Sequence, residues 1–172
     1  MYRDTSRIKA VLVGEPAVGK TSIVRRYTMN TFSDKYLPTI VMDFYAKDID
    51  GIVLDMWDLS GHPEFFDERG KYYEGTQALI LVFDISSRRT FDSLDMWVNE
   101  SNVFSKEKPF VILCANKIDL INQRTVPKNE AEYWALSRNM KYFEVSALEG
   151  ENTSLMFEYC ASQYKSLFQN MD

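Results

Sequence analysis

Gly14-Glu15-Pro16-Ala17-Val18-Gly19-Lys20-Thr21 decides the fold: it fits GxxxxGK[ST] and lies between an apolar run, Ile8–Val13, and a helix-period stretch, Lys20–Met29. A strand before that pattern and a helix after it are the setting in which it binds phosphate. The glycines let the backbone fold back so that successive N–H groups converge on phosphate oxygens, and the dipole of the helix adds positive potential. Lys20 would supply charge for the β- and γ-phosphates, the Thr21 hydroxyl can ligate Mg²⁺, and Ser22 follows in the same turn. The competing reading is a glycine-bounded turn with a solvated lysine. Pro16 is unusual here. It has no N–H to donate, and its ring is expected where a γ-phosphate and an attacking water would sit.

Outward from this loop, short apolar runs alternate with helix-period stretches. Thr31–Thr39 is a polar loop, and Ile40–Ile49 and Ile52–Trp57 flank Asp50-Gly51, a dipeptide that favours a tight hairpin. Ala78–Phe83 and Phe110–Ala115 read as fully apolar strands, and Tyr142–Val145 as a shorter one. Thr90–Phe104, with Phe91, Leu94, Trp97 and Val98 at helical spacing, reads as a helix, as do Lys128–Arg138 and Ser154–Phe168. The pattern predicts an α/β fold: a six-stranded, mostly parallel sheet with one antiparallel strand and helices on both faces. Ligands of such sheets bind beyond the carboxyl ends of the strands, where every motif of this chain falls.

The 172 residues suit a single domain, residues 1–172, with no repeat or linker dividing them. A net charge of −5 argues against nucleic acid or an anionic membrane surface as the main partner. Cys114 and Cys160 lie in apolar surroundings without CxxC spacing, so core thiols are expected rather than a disulfide or metal site. Met1-Tyr2-Arg3-Asp4 is neither a signal peptide nor a myristoylation start, and the last dozen residues hold no cysteine. No apolar run approaches the roughly 20 residues that span a bilayer. A cytoplasmic monomer with no lipid anchor in this chain is the expectation, with partners recruiting it to membranes.

Two further segments carry chemistry. In Asn116-Lys117-Ile118-Asp119 the Asp119 carboxylate can accept from N1–H and the exocyclic amine of guanine, a pattern adenine lacks. The Asn116 amide can reach the base edge and tie this loop to the phosphate loop, and the stem of Lys117 can lie over the ring. Taken alone, the segment could be a turn capping the next helix. Trp57-Asp58-Leu59-Ser60-Gly61 places an aspartate at a strand end, followed by a glycine. Asp58 would hold Mg²⁺ through water, and Gly61 would present its N–H to a γ-phosphate; a plain turn residue is the alternative for Asp58. An ATP-using kinase would need adenine recognition and an arginine-rich lid, and Asp119 and the missing lid count against it.

These elements in this order resemble the Ras superfamily of small GTPases, whose fold is that of P-loop NTPases. Ile40–Phe44, Trp57-Asp58, and Tyr72–Thr76 running into Leu79–Ser86 are similar to Rab segments. Gly61-His62-Pro63 with Cys114–Asp119 resembles a narrower group, Rab-like GTPases that in some members carry a C-terminal J domain. The resemblance implies GTP or GDP as ligand with Mg²⁺, and a switching role in signalling or vesicle trafficking. It also implies that Thr39 joins Thr21 and Asp58 at the metal, with Tyr36 nearby. Phe32 would pack edge-on against guanine, or be a core aromatic. Ser146-Ala147-Leu148 would form the last base loop, with the Ala147 N–H aimed at O6. Effector, exchange-factor and activating proteins would bind switch I (Asp34–Ile40) and switch II (Gly61–Tyr73).

The chain departs from the family pattern in four ways. His62 stands where a water-orienting glutamine is usual, and Pro63 biases it toward extended backbone. The Ile40–Trp57 hairpin is short for a Rab, and the prenylated cysteine tail is missing. With Lys20 and Gly61 stabilising the phosphates, water orientation would fall to His62, unless that residue is simply exposed in a mobile turn. Hydrolysis is therefore expected to be slow, and a guanine-nucleotide-bound module that does not switch is the alternative. Arg69, Arg88 and Arg89 are expected to be exposed and too far along the chain to act as an arginine finger.

Overall fold

The computed structural model describes residues 6–168; Met1-Tyr2-Arg3-Asp4 and residues 169–172 of the cysteine-free end lie outside them. In chain order come β1 (Ser6–Val13), α1 (Lys20–Met29), β2 (Met42–Ile49), β3 (Ile52–Leu59), α2 (Phe66–Gly70), β4 (Ala78–Asp84), α3 (Arg88–Asp92) and α4 (Leu94–Phe104). Then follow β5 (Phe110–Asn116), α5 (Lys128–Leu136), β6 (Lys141–Glu144) and α6 (Thr153–Phe168), with short 3₁₀ turns at Pro63–Phe65 and Ile118–Gln123.

The strands form a six-stranded sheet in the order β2-β3-β1-β4-β5-β6. Only the β2–β3 pair is antiparallel. Alternation along β1 sorts the core into two layers. Ile8, Ala10 and Leu12 join Ile23 and Val24 of α1 and Met156 and Phe157 of α6. Val11 and Val13 face the other way, with Leu94 and Trp97 of α4 and Ala131 and Ala135 of α5. With helices on both faces, every residue of β4 is buried, which is why it reads as an unbroken apolar run. Both cysteines are buried and unpaired.

Three local differences from the sequence reading stand out, the first two with a local physical cause. First, β2 starts at Met42 rather than Ile40. Val41 adopts φ 58°, unusual for a β-branched residue, while the Met42 N–H turns back to the Ile40 carbonyl at 2.7 Å. Second, the helix expected over Thr90–Phe104 is broken at Ser93. The Ser93 hydroxyl donates to the Thr90 carbonyl at 3.1 Å, a competing local bond that separates α3 from α4. Third, α5 stops at Leu136 rather than Arg138. The Asp50-Gly51 hairpin is as expected, with φ of 51° and 86° supplying the two positive values of a type I′ turn.

Candidate nucleotide site

The loops leaving β1, β3, β5 and β6 meet at the carboxyl edge of the sheet around a cavity of about 450 Å³. Close approach of neighbouring groups explains two of the phosphate-loop glycines. A Cβ on Gly14 (φ 149°) would lie 2.2 Å from the Val82 carbonyl oxygen, and one on Gly19 (φ 97°) 2.3 Å from Asn116 Nδ2. The buried Lys20 ammonium donates to the carbonyls of Gly14 at 2.8 Å and Glu15 at 2.9 Å. Burial lowers its pKa to about 8, opposed by Asp58 and Glu15. A lysine held this way is available to a phosphate. Pro16 and Ala17 line the cavity, whereas Gly14, Glu15 and Val18 contribute backbone from behind it.

Thr21, Thr39 and Asp58 come together as expected of a metal site. The Thr21 hydroxyl donates to Asp58 Oδ2 and lies 2.9 Å from the Thr39 hydroxyl, which is itself 3.5 Å from Asp58 Oδ2. The other carboxylate oxygen, Asp58 Oδ1, is buried without a hydrogen-bond partner. Burial pushes the Asp58 pKa up to about 6, against the pull of Lys20 and of Thr21. Two hydroxyls and a carboxylate with an unsatisfied buried oxygen fit a hard, oxygen-seeking cation such as Mg²⁺, whose remaining ligands would be water and phosphate. Among the described residues no group of three or more His, Cys, Asp or Glu could hold a metal by itself.

At the opposite end of the cavity lie Phe32, Asn116, Lys117, Asp119, Ala147 and Leu148. Asn116 Nδ2 donates to the Val18 carbonyl at 2.9 Å, so this side chain ties the two loops together. The Ala147 N–H donates to Asn116 Oδ1 at 3.3 Å, so in this arrangement it is turned to the loop. Ser146 sits behind the cavity, its hydroxyl holding Asp119 Oδ1 at 2.7 Å. Lys117, in the left-handed region at φ 66°, donates to the Ala17 carbonyl at 2.9 Å and pairs with Asp84 at 2.7 Å. Phe32 is 39% exposed and is not a core aromatic.

Sequence reasoning missed Arg26, which donates from α1 to the carbonyls of Ala147 at 2.8 Å and Leu148 at 2.7 Å. No motif marks it, because its partners lie 121 and 122 residues away. Arg25 and Leu120 also line the cavity unannounced, while Ser22 lines it as expected.

The segments expected to be switch I and switch II line the cavity. The Tyr36 hydroxyl lies 3.1 Å from His62 Nε2, a bond between the two segments. His62 is extended (φ −75°, ψ 133°) before Pro63, as the proline dictates. Gly61 presses on the phosphate loop: a Cβ there would lie 2.5 Å from both the Gly14 oxygen and the Pro16 nitrogen. Arg69, expected at the surface, is instead buried, paired with Glu100 at 2.6 and 2.7 Å and donating to the His62 carbonyl at 2.6 Å. The apolar packing of α4 supplies the partner that local sequence does not show. Arg89 is exposed, 3.7 Å from the Glu15 carboxylate, and Arg88 bonds Glu130 at the surface.

The fold and the loops around this cavity are those of the P-loop NTPase class. Residues 9–166 match the profile of the Ras family, and the chain belongs to that family. It is 35% identical over 173 residues to DnaJ homolog subfamily C member 27 of Danio rerio, covering 95% of this chain and 63% of that one. The Gallus gallus protein of that name is 36% identical (98% of this chain, 65% of that one) and the Homo sapiens protein 37% identical (88% and 59%). The chain thus spans 59% to 65% of the length of these curated relatives.

Proposed function

We propose that the chain binds GTP and GDP with Mg²⁺ and works as a Rab-like switch that hydrolyses GTP slowly. The observation that carries this reading is one cavity lined by Lys20 of the phosphate loop, by Thr21 and Thr39, whose hydroxyls bond the buried Asp58, and by Asp119 and Phe32. The cluster and the lysine would neutralise phosphate charge, and the Asp119 carboxylate would select guanine. The Mg²⁺, when bound, supplies charge neutralisation between the phosphates. Lys20, Gly61 and His62 are the residues assigned to hydrolysis, Lys20 and Gly61 by stabilising charge, while orienting the attacking water would fall to His62.

Thr39, within reach of the metal cluster, would report the γ-phosphate to the exposed Leu37 (74%) and Ile40 (75%), which offer effectors an apolar surface. Exchange and activating proteins would use the same two segments. A cytoplasmic location with recruitment to membranes by partners fits this reading. No helix among the described residues is long and apolar enough to cross a membrane.

Chromatography of the co-purified nucleotide, followed by timing its turnover, tests the reading: guanine nucleotide with slow conversion to GDP is expected. Equal effector affinity for the GTP-loaded and GDP-loaded chain would end the switch and leave a nucleotide-bound binding module.

A further inference from the structure

Asp84 ends β4, between the strands that lead into the phosphate loop and the base-reading loop. It is 7% exposed and lines no part of the nucleotide cavity. Its two carboxylate oxygens have different partners. Oδ1 accepts from the Ser86 N–H at 2.8 Å and from the Ser86 hydroxyl at 2.6 Å. The backbone is tied as well, because the Asp84 N–H donates to the Thr90 hydroxyl at 3.0 Å. Oδ2 is left for one group, the Lys117 ammonium at 2.7 Å.

That ammonium also donates to the Ala17 carbonyl at 2.9 Å. Both residues of this second bond are unusual in backbone: Lys117 has φ 66° and Ala17 φ 63°, left-handed values that a side chain makes costly. Such conformations persist where their surroundings hold them. Here one ammonium joins the two loops, and a seated carboxylate on a fully buried strand holds the ammonium.

We propose that Asp84 is a positioning residue for nucleotide retention: by fixing the Lys117 ammonium against Ala17, it keeps the lysine stem stretched along the base end of the cavity. The proposal rests on the guanine-nucleotide reading above. Lysine is a compact charge on a flexible four-carbon stem, and beside a polyphosphate an unpaired one would swing toward the anion. The pair with Asp84 opposes that swing and cancels the lysine charge where a neutral base would lie. An exposed ion pair contributes little. The Lys117 and Asp84 side chains are only 32% and 10% exposed, so solvent and salt screen this one less.

Release of a fluorescent GDP analogue from the loaded whole chain into excess unlabelled GDP tests this. Asp84→Asn keeps an oxygen for Ser86 and removes the charge that faces Lys117, and it should speed release about tenfold. Lys117→Met should speed release at least as much. Added to Lys117→Met, Asp84→Asn should change release by less than about twofold, because its partner is gone and a buried unpaired carboxylate is relieved. A merely structural role for Asp84 predicts instead that the two effects multiply. Inosine diphosphate lacks only the amine that Asp119 would read, so Asp84→Asn should weaken its binding by the same factor as that of GDP. Ser86→Ala loosens Oδ1 and leaves both charges; release should rise about threefold in the otherwise unaltered chain and not in the Lys117→Met chain. Multiplying effects, wild-type release from Asp84→Asn, or an altered ratio of guanine to inosine affinity would overturn the proposal. If Asp84→Asn does not fold, the Ser86→Ala comparison decides alone. A wild-type chain that retains no guanine nucleotide, read by chromatography, overturns the underlying reading instead.

Discussion

His62 is constrained at both ends, by Pro63 along the backbone and by Tyr36 at the ring. A carboxamide at this position can accept from one group and donate to another, while an imidazole whose Nε2 is engaged by a tyrosine has nothing left at that end. Exchange of His62 for glutamine is accordingly expected to raise the single-turnover GTP hydrolysis rate, by roughly tenfold. An unchanged rate would remove His62 from the chemistry and leave it as a contact for switch I alone. Pro16 stays in both proteins, so the comparison isolates the histidine.

Among the elements, the phosphate loop and switch II meet closely. A side chain at residue 61 would contact the Gly14 oxygen, the Pro16 nitrogen and the Glu15 carbonyl carbon at 2.5 to 2.6 Å. Gly61→Ala should therefore push the two segments apart and lower affinity for a triphosphate analogue about tenfold more than affinity for GDP, as competition binding would measure. Equal losses for both would show that Gly61 does not face the γ-phosphate. The strands, α1 and both nucleotide loops were legible in the sequence because each is encoded by residues adjacent in the chain: apolar runs, glycines and a helix period. The breaks at Val41 and Ser93 were not, since each rests on a single local hydrogen bond, one from a backbone N–H and one from a serine hydroxyl. Arg69 was misread as exposed because its partner Glu100 is 31 residues away on another helix, and periodicity carries no sign of such a pair.

At the scale of the whole molecule, the site holds charges the protein does not fully satisfy. Lys20 is buried at a lowered pKa, and one Asp58 oxygen has no partner. A ligand that answers both stabilises the folded chain by linkage. Excess chelator added to the nucleotide-loaded chain should speed nucleotide release about tenfold, and a loss of about 1.4 kcal/mol corresponds to that factor. The melting temperature should fall by roughly 3–6 °C. An unaltered release rate would mean that Thr21, Thr39 and Asp58 form a hydrogen-bonded cluster and nothing more.

The reach of Arg26 has a bearing on how the molecule comes into being. Its guanidinium, on α1, grips the carbonyls of Ala147 and Leu148, 121 and 122 residues further along the chain. A ribosome delivers Arg26 of α1 first and Ala147 121 residues later. Until that later loop emerges, α1 has nothing to clasp and Asp119 lacks the Ser146 hydroxyl that holds it. The order of synthesis therefore matters: a chain cut before Ala147 can display the phosphate loop, but only one that extends past Leu148 can complete the cavity.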